Sequence, residues 1–520
     1  MAQGDRDRAL EELGQREFDL LVIGGGIVGA GIAAESARAG LRVALVERGD
    51  FAGATSSASS KLIHGGLRYL RLGDVGLVRE AHDERRALMR VVAPHLVRRL
   101  LFLVPLYRGG PYGAASVQAG LLLYSALARA RLNRPIRGET ARRVVPPLRL
   151  DGLRACGVYA DAWTHDSRLC LANVRAAAEA GATVVNYAEV VELHVVGGRV
   201  AGAAVVAGGM TIPVRARSVV NATGPWVDRV RRLEDPSASP SVRLSKGVHA
   251  LLALDEPWRA GLTIPHDSVR VSFALPWEGM LLLGTTDTLH KGEPDEIDVT
   301  DGELTDVLAE ASTAIAHAAL GREQVRAVYA GLRALPGGAG ATSTARRETV
   351  LTRGPRGMLS VAGGKLTTYR RIALDALAIL RPELGLPRLD RRPRPLPGAA
   401  DPDAVATELA AAHPDLDAAA CAHLAHLYGA LAREVLAPVQ ERPELLLPLH
   451  PHGPDVVAQA LYAGTHEWAV SADDVLGRRT TVSLRGLATP EVVSSVEALL
   501  HSPAARPETR ASARGNAPVC

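Results

Sequence analysis

The amino-acid sequence predicts an α/β protein that opens on a β-α-β unit and closes on an all-helical domain. The first observation behind this is the run FDLLVIGGGIVGAGIAAESARAGLRVALVERGD, Phe18 to Asp50. There a short apolar stretch, a glycine turn, a helical pattern and a second apolar stretch follow one another. The second is an alternation of strand and helix patterns that continues to about residue 390. The third is the Pro-rich break LPRLDRRPRPLPGAADPD, after which Asp403 to about Leu500 is rich in Ala and Leu with helical periodicity. A chain of 520 residues exceeds the roughly 250 to 300 residues at which single cores stop growing, so two or three units are expected.

Residues 1–17 are charged throughout and lack the apolar core of a signal peptide, and they read as an N-terminal extension. FDLLVI suits a strand buried on both faces, and IVGAGIAAESARAG has helical spacing that closes at Gly40. RVALVE is a second strand ending at Glu47. From Asp50 to about Leu150 the pattern is mixed, with long helical stretches such as LVREAHDERRALMRVV. A further βα unit begins at DSRLCLANVRAAAEAGATVVNYAEVVEL. Next, GGRVAGAAVVAGGMTIPVRARSVVNATG reads as a hairpin meander running into another apolar strand. LSVAGGKLTTYRRIALDALAILRPEL reads as strand, loop and helix. The boundaries expected are 18–390 for the α/β part, 391–402 for a linker, 403–501 for the helical domain and 502–520 for a disordered tail.

Bulk properties exclude some functions. A net charge of +4 over 520 residues is too mild to indicate nucleic acid, and only 4% of residues are aromatic, which offers little base stacking. Cys156, Cys170, Cys421 and Cys520 are widely spaced and form no C-x-x-C pair. They read as reduced thiols of a cytoplasmic protein, with no metal site expected. No stretch reaches the roughly 20 apolar residues that span a bilayer.

Gly24, Gly26 and Gly29 form G-x-G-x-x-G between strand and helix, with Glu47 ending the next strand. In a Rossmann-type unit the first glycine permits the tight turn, the second lets a pyrophosphate approach the backbone, and the third lets helix pack on strand. The acidic residue accepts from a ribose hydroxyl. The phosphates then lie at a helix N-terminus. The fingerprint is common to NAD and FAD. The stretch TSSASSKLIHGGLRYL, starting five residues after Asp50, favours FAD. Thr55, Ser56, Ser57, Ser59 and Ser60 offer hydroxyls for phosphate and ribityl oxygens, and Gly65 and Gly66 let backbone lie against a flat ring. The alternative is a Ser-rich surface loop. Ala222, Thr223 and Gly224 end the strand VVNATG, a second place where backbone approaches a cofactor closely.

Taken together, VIGGGIVGAGIAAESARAG, TSSASSKLIHGGLRYL, NATGPWVD, GTTDT, GGKLTTYRR and the later HEWAVSADDVLGRRT resemble, in order and spacing, the FAD-dependent glycerol-3-phosphate dehydrogenases of the D-amino-acid oxidase superfamily. The resemblance runs from about Phe18 to Leu500. It implies a Rossmann-type FAD-binding domain with an inserted α+β substrate domain, then a C-terminal all-helical domain. It also implies oxidation of sn-glycerol 3-phosphate to dihydroxyacetone phosphate by hydride transfer from C2 to flavin N5, with electrons passed to a membrane quinone. Oxidases of the same fold, which use O2 and release hydrogen peroxide, carry an inserted segment not seen here.

A phosphomonoester dianion calls for several cations, arginine above all for its planar fork. The resemblance nominates Arg68 with Tyr69, Arg333, Arg347 and Lys365 for the phosphate, with Arg346 the neighbour that a slip of one residue would exchange for Arg347. His249 is nominated as the base for the C2 hydroxyl and Arg333 as a stabiliser of the developing charge. Gly364, Lys365, Leu366 and Thr367 are assigned to the flavin-ring end. Val28 and Ala334 depart from the family pattern, which usually has Asn or Thr and Pro there.

Between Arg98 and Arg149 ten arginines face a lone Glu139, with the apolar runs LLFLVPLY and AGLLLYSALA among them. Such a segment suits peripheral contact with anionic lipid at the inner face of the cell membrane, and equally a solvated basic helix beside a subunit or domain interface. A homodimer is the expected assembly.

Overall fold

The computed structural model describes residues 3–67, 70, 73–131, 133–267, 270–316, 320–337 and 349–502. Two large sheets organise residues 17–362. In the first, Glu17–Ile23 lies at the centre of a parallel array, paired on one side with Val43–Val46 and on the other with Met210–Asn221. Thr183–Val185 and Leu359–Ala362 extend it outward in parallel. Every residue of Glu17–Ile23 after the first is buried, as expected of a parallel strand covered by helices on both faces. The helix Ile27–Arg38 springs from the glycine turn, and Gly40 at φ +88° ends it in the left-handed region. The meander expected after residue 197 is present: Ala188–Val196, Arg199–Ala207 and Met210–Asn221 pair antiparallel in succession, and the last runs into the parallel array.

The second sheet is mostly antiparallel. Val242–Ala253 pairs with Met280–Gly284, Thr288–His290 and Val325–Pro336, and the sheet continues through Val271–Trp277 and Gly261–Pro265 to Val97–Tyr107 and Leu153–Thr164. The run LLFLVPLY, expected to insert into lipid, is therefore a core strand. It pairs with Leu153–Thr164 along its whole length, and Phe102, Leu103 and Val104 are buried. Its apolar character answers to a sheet covered on both faces. The other run, AGLLLYSALA, lies within the helix Ala114–Leu127 and the residue after it, with Leu122 and Leu123 exposed.

The Pro-rich segment after Gly385 is packed along the surface of the first domain. Leu396 is buried in its core, with its N–H on Val92 O, and Arg370 donates to Arg391 O. The helices beyond, Pro402–Ala412, Ala418–Tyr428, Val457–His466 and Pro490–His501, have apolar clusters of their own. Their ends are encoded locally: Asp417 accepts from Ala420 N, and Thr489 accepts from Val492 N with Pro490 in the first turn. Their contact with the first domain is charged and buried. Arg168 donates to Glu467 at 2.7 Å, and His423 lies between Asp455 and Glu278 at 2.8 and 3.4 Å. No helix of the described residues is long and apolar enough to cross a membrane.

Candidate active site

A cavity of about 750 Å³ runs along the carboxyl ends of the parallel strands and under the second sheet. This is the size of a small-molecule or cofactor site. Gly24 and Gly26 form its floor. Gly24 has φ +107°, and a Cβ there would come within 2.7 Å of Ala222 O; a Cβ on Gly26 would come within 3.1 Å of Ser56 Oγ. Gly29 is behind the wall, where a Cβ would meet Gly24 O at 1.9 Å, so it serves the packing of helix on strand. Glu47 lines the cavity and accepts from Gly25 N at 2.7 Å and Gly49 N at 2.9 Å. Burial lifts its carboxyl above the ordinary range against those two bonds.

The Ser-rich stretch is docked. Thr55 Oγ1 donates to Leu332 O at 2.7 Å, Tyr329 OH donates to Ser59 O at 2.7 Å, and Ser56 Oγ accepts from Ile27 N at 2.9 Å. Gly331 makes this possible, because a Cβ on it would come within 2.3 Å of Ala58 O. Thr55, Ser56, Ser59 and Ser60 line the cavity; Ser57 does not, and its hydroxyl turns back to Ala54 O. Gly65 and Gly66 are also off the wall. A Cβ on Gly65 would collide with the buried His82 ring, so its bareness accommodates that imidazole. Ala222, Thr223, Gly224, Gly364, Lys365, Leu366 and Thr367 all line the cavity. Arg68, Tyr69, Arg346 and Arg347 lie outside the described residues.

At the sheet end His249 and Arg333 both line the cavity. His249 is buried, stacked on Tyr329 with ring centroids 4.9 Å apart, and its Nε2 lies 2.8 Å from Ser60 Oγ. Burial first, then Arg333 and Lys61, hold its imidazole well below the usual range, so it is neutral at physiological pH. The Arg333 guanidinium is fixed by Thr285 Oγ1 at 2.6 Å, Thr286 O at 3.2 Å and Ser245 Oγ at 3.3 Å. Gly247 leaves it room, since a Cβ there would come within 2.3 Å of the guanidinium.

Three features escaped the sequence reading. Lys61 is fully buried, in the left-handed region at φ +54°, with Nζ 2.6 Å from Asp166 and over the faces of Trp277 and Tyr329. A lysine in a Ser-rich run reads as a surface residue, and its partner lies 105 positions away. His64 lines the cavity as a second imidazole. Its place in KLIHGG was the available signal. Asp473 and Arg478, from the helical domain, also reach the wall; the run HEWAVSADDVLGRRT that contains them carries part of the resemblance, but it does not announce contact with the cavity.

A family signature described as FAD dependent oxidoreductase matches residues 19–370, and one described as the C-terminal domain of alpha-glycerophosphate oxidase matches residues 392–507. The chain belongs to the FAD-dependent oxidoreductase family, with FAD as its cofactor. Relatives within that family carry the name glycerol-3-phosphate dehydrogenase. The Mycobacterium leprae protein is 37% identical over 95% of this chain and 86% of its own, and the Synechocystis protein 33% over 92% and 91%. Among solved structures, the glycerol-3-phosphate dehydrogenase from Bacillus halodurans complexed with FAD superposes with a TM-score of 0.78 at 27% identity, covering 96% of this chain and 92% of that one. The L-alpha-glycerophosphate oxidase of Mycoplasma pneumoniae shares the fold, at a TM-score of 0.57 and 15% identity.

Proposed function

We propose that the protein oxidises sn-glycerol 3-phosphate to dihydroxyacetone phosphate and passes the electrons to a membrane quinone. The observation that carries this reading is a neutral, buried imidazole and a fixed guanidinium on the same wall of a cavity whose other end is a glycine phosphate loop. Those residues fit FAD: the glycine cradle is one that any Cβ would fill, and Glu47 offers an acceptor at the nucleotide end. Gly24, Gly26, Ser56, Ala222, Thr223, Gly224, Gly364 and Leu366 would hold it. When bound, FAD supplies the two-electron acceptor for the hydride that leaves C2.

The chain's own part is binding and proton handling. The proton of the C2 hydroxyl passes to the neutral His249 imidazole, whose Nε2 is reached through the Ser60 hydroxyl 2.8 Å away on the cavity wall. Arg333 stabilises the negative charge that grows on that oxygen. Lys365, with Arg68, Tyr69 and Arg347, binds the phosphate dianion. A peripheral membrane position is supported by the helix Ala114–Leu127. It has no charged residue and exposes Leu122 and Leu123, while Arg108, Arg129, Arg131 and Arg134 stand exposed nearby in sequence.

Turnover with sn-glycerol 3-phosphate, measured with a soluble quinone analogue and by oxygen uptake in parallel, tests the acceptor. Fast quinone reduction with negligible peroxide is expected. Peroxide formed at the rate of substrate oxidation would make the protein an oxidase.

A further inference from the structure

The helical domain reaches the cofactor cavity beside the glycine loop and Glu47. Arg478 and Asp473 are part of the wall there, together with Glu47, Asp50 and Tyr187. Arg478 and Arg479 both pair with Asp50, across more than 400 residues of sequence. One oxygen of Asp50 takes Arg479 Nη2 at 2.8 Å; the other takes Arg479 Nη1 and Arg478 Nε. The Asp50 side chain is 2% exposed and that of Arg479 0%.

Asp50 stands in the turn 47–52, and this turn is latched to the glycine loop. Gly25 N donates to Glu47 Oε2, Ala52 N donates to Gly25 O at 3.1 Å, and Phe51 fills the space where a Gly25 Cβ would be, 2.4 Å from its ring. On its other side the turn is held by the helical domain. Trp468 meets Phe51 edge-on at 5.6 Å, and Asn186 donates to Trp468 O at 2.8 Å. Tyr187, also on the wall, donates to Asp474 at 2.6 Å. A buried carboxylate is tolerated only while its cations stay in place. The shape of the phosphate loop is therefore contingent on the docked segment 467–479.

We propose that the segment 467–479 of the helical domain is a positioning element of the cofactor site, and that FAD binding and the docking of this segment are thermodynamically linked. The inference rests on FAD occupying this cavity. Coupling of this kind is reciprocal: whatever loosens the segment weakens FAD by the same factor by which FAD tightens the segment.

The test uses the full chain, freed of FAD and titrated with FAD alone, following quenching of flavin fluorescence. Arg478→Gln removes the guanidinium's bonds to Asp50, Asp473 and Asp474 but keeps the buried Arg479–Asp50 pair, and it should raise the dissociation constant by about tenfold or more, at least the scale of a lost charged hydrogen bond. A second measurement needs no variant. Amide hydrogen exchange in 467–482 should slow when FAD is added, more than in the distant helix Pro402–Ala412. A folded Arg478→Gln protein with wild-type FAD affinity, or exchange at 467–482 indifferent to FAD, would overturn the linkage. Wild-type apoprotein that takes up no FAD would overturn the cofactor reading beneath it, a result distinct from either.

Discussion

Arg333 owes its orientation to three oxygens, on Thr285, Thr286 and Ser245, and to the bare Cα of Gly247 opposite. Arg333→Gln should lower kcat/KM for sn-glycerol 3-phosphate by about 10²- to 10³-fold, as for loss of one preorganised donor at developing negative charge. The absorbance of bound FAD should be unchanged, and steady-state kinetics with a flavin spectrum checks both. His249 makes a prediction about pH. Its imidazole is held well below the usual range by burial, Arg333 and Lys61, so the neutral form persists as pH falls. The kcat/KM profile between about pH 5 and 8 should then carry no acid limb that disappears in His249→Gln, although that variant should lose about 10²- to 10⁴-fold in rate. Beneath them, Lys61→Met leaves Asp166 buried without its cation. Unfolding by urea should show a loss of about 3 to 5 kcal/mol.

At the scale of elements, the loop 54–60 and the strand Val325–Pro336 form one unit, joined by Thr55 to Leu332, Tyr329 to Ser59 and the close approach at Gly331. Gly331→Ala forces the loop outward and should weaken FAD binding by about tenfold, measured by fluorescence titration, with little change in the helical domain. Much of this was legible in the sequence. The glycine pattern between an apolar run and a helical run marked the turn that floors the cavity, although only Gly29 answers to a local contact, with Gly24, while Gly24 and Gly26 answer to Ala222 and Ser56 far along the chain. The Ser-rich run was flagged as cofactor-facing, yet its hydroxyls chiefly bond to the protein: Ser59 to Asp166, Ser57 to Ala54, Thr55 to Leu332. Composition reveals that hydroxyls are needed but not which partner lies across the fold. The run LLFLVPLY failed for a related reason: an apolar stretch looks alike whether a sheet or a bilayer covers it.

Across the whole molecule, long-range charge pairs join the helical domain to the rest, and these were not legible because their partners lie more than a hundred residues apart. His423 illustrates the consequence. Burial disfavours its cation, but Asp455 and Glu278 overcome this and raise its pKa to about 9. Those carboxylates are depressed to about 2 despite burial, chiefly by His423, with Arg98 and Arg485 nearby. An imidazole raised from the ordinary value of about 6.5 contributes stability in full below that pH and loses it as pH rises through about 9. Thermal unfolding of the full chain should therefore weaken from pH 6.5 to 9, by an amount on the order of a few kcal/mol, and His423→Gln should flatten that decline.

All of these contacts serve one claim, that the cavity oxidises sn-glycerol 3-phosphate at the cofactor it holds. The direct test is anaerobic: add sn-glycerol 3-phosphate to the purified protein and follow the flavin absorbance, with glycerol and glycerol 1-phosphate as controls. Prompt bleaching by sn-glycerol 3-phosphate alone is the predicted result. A yellow protein that remains oxidised with that compound, or one bleached equally by glycerol, would contradict the account.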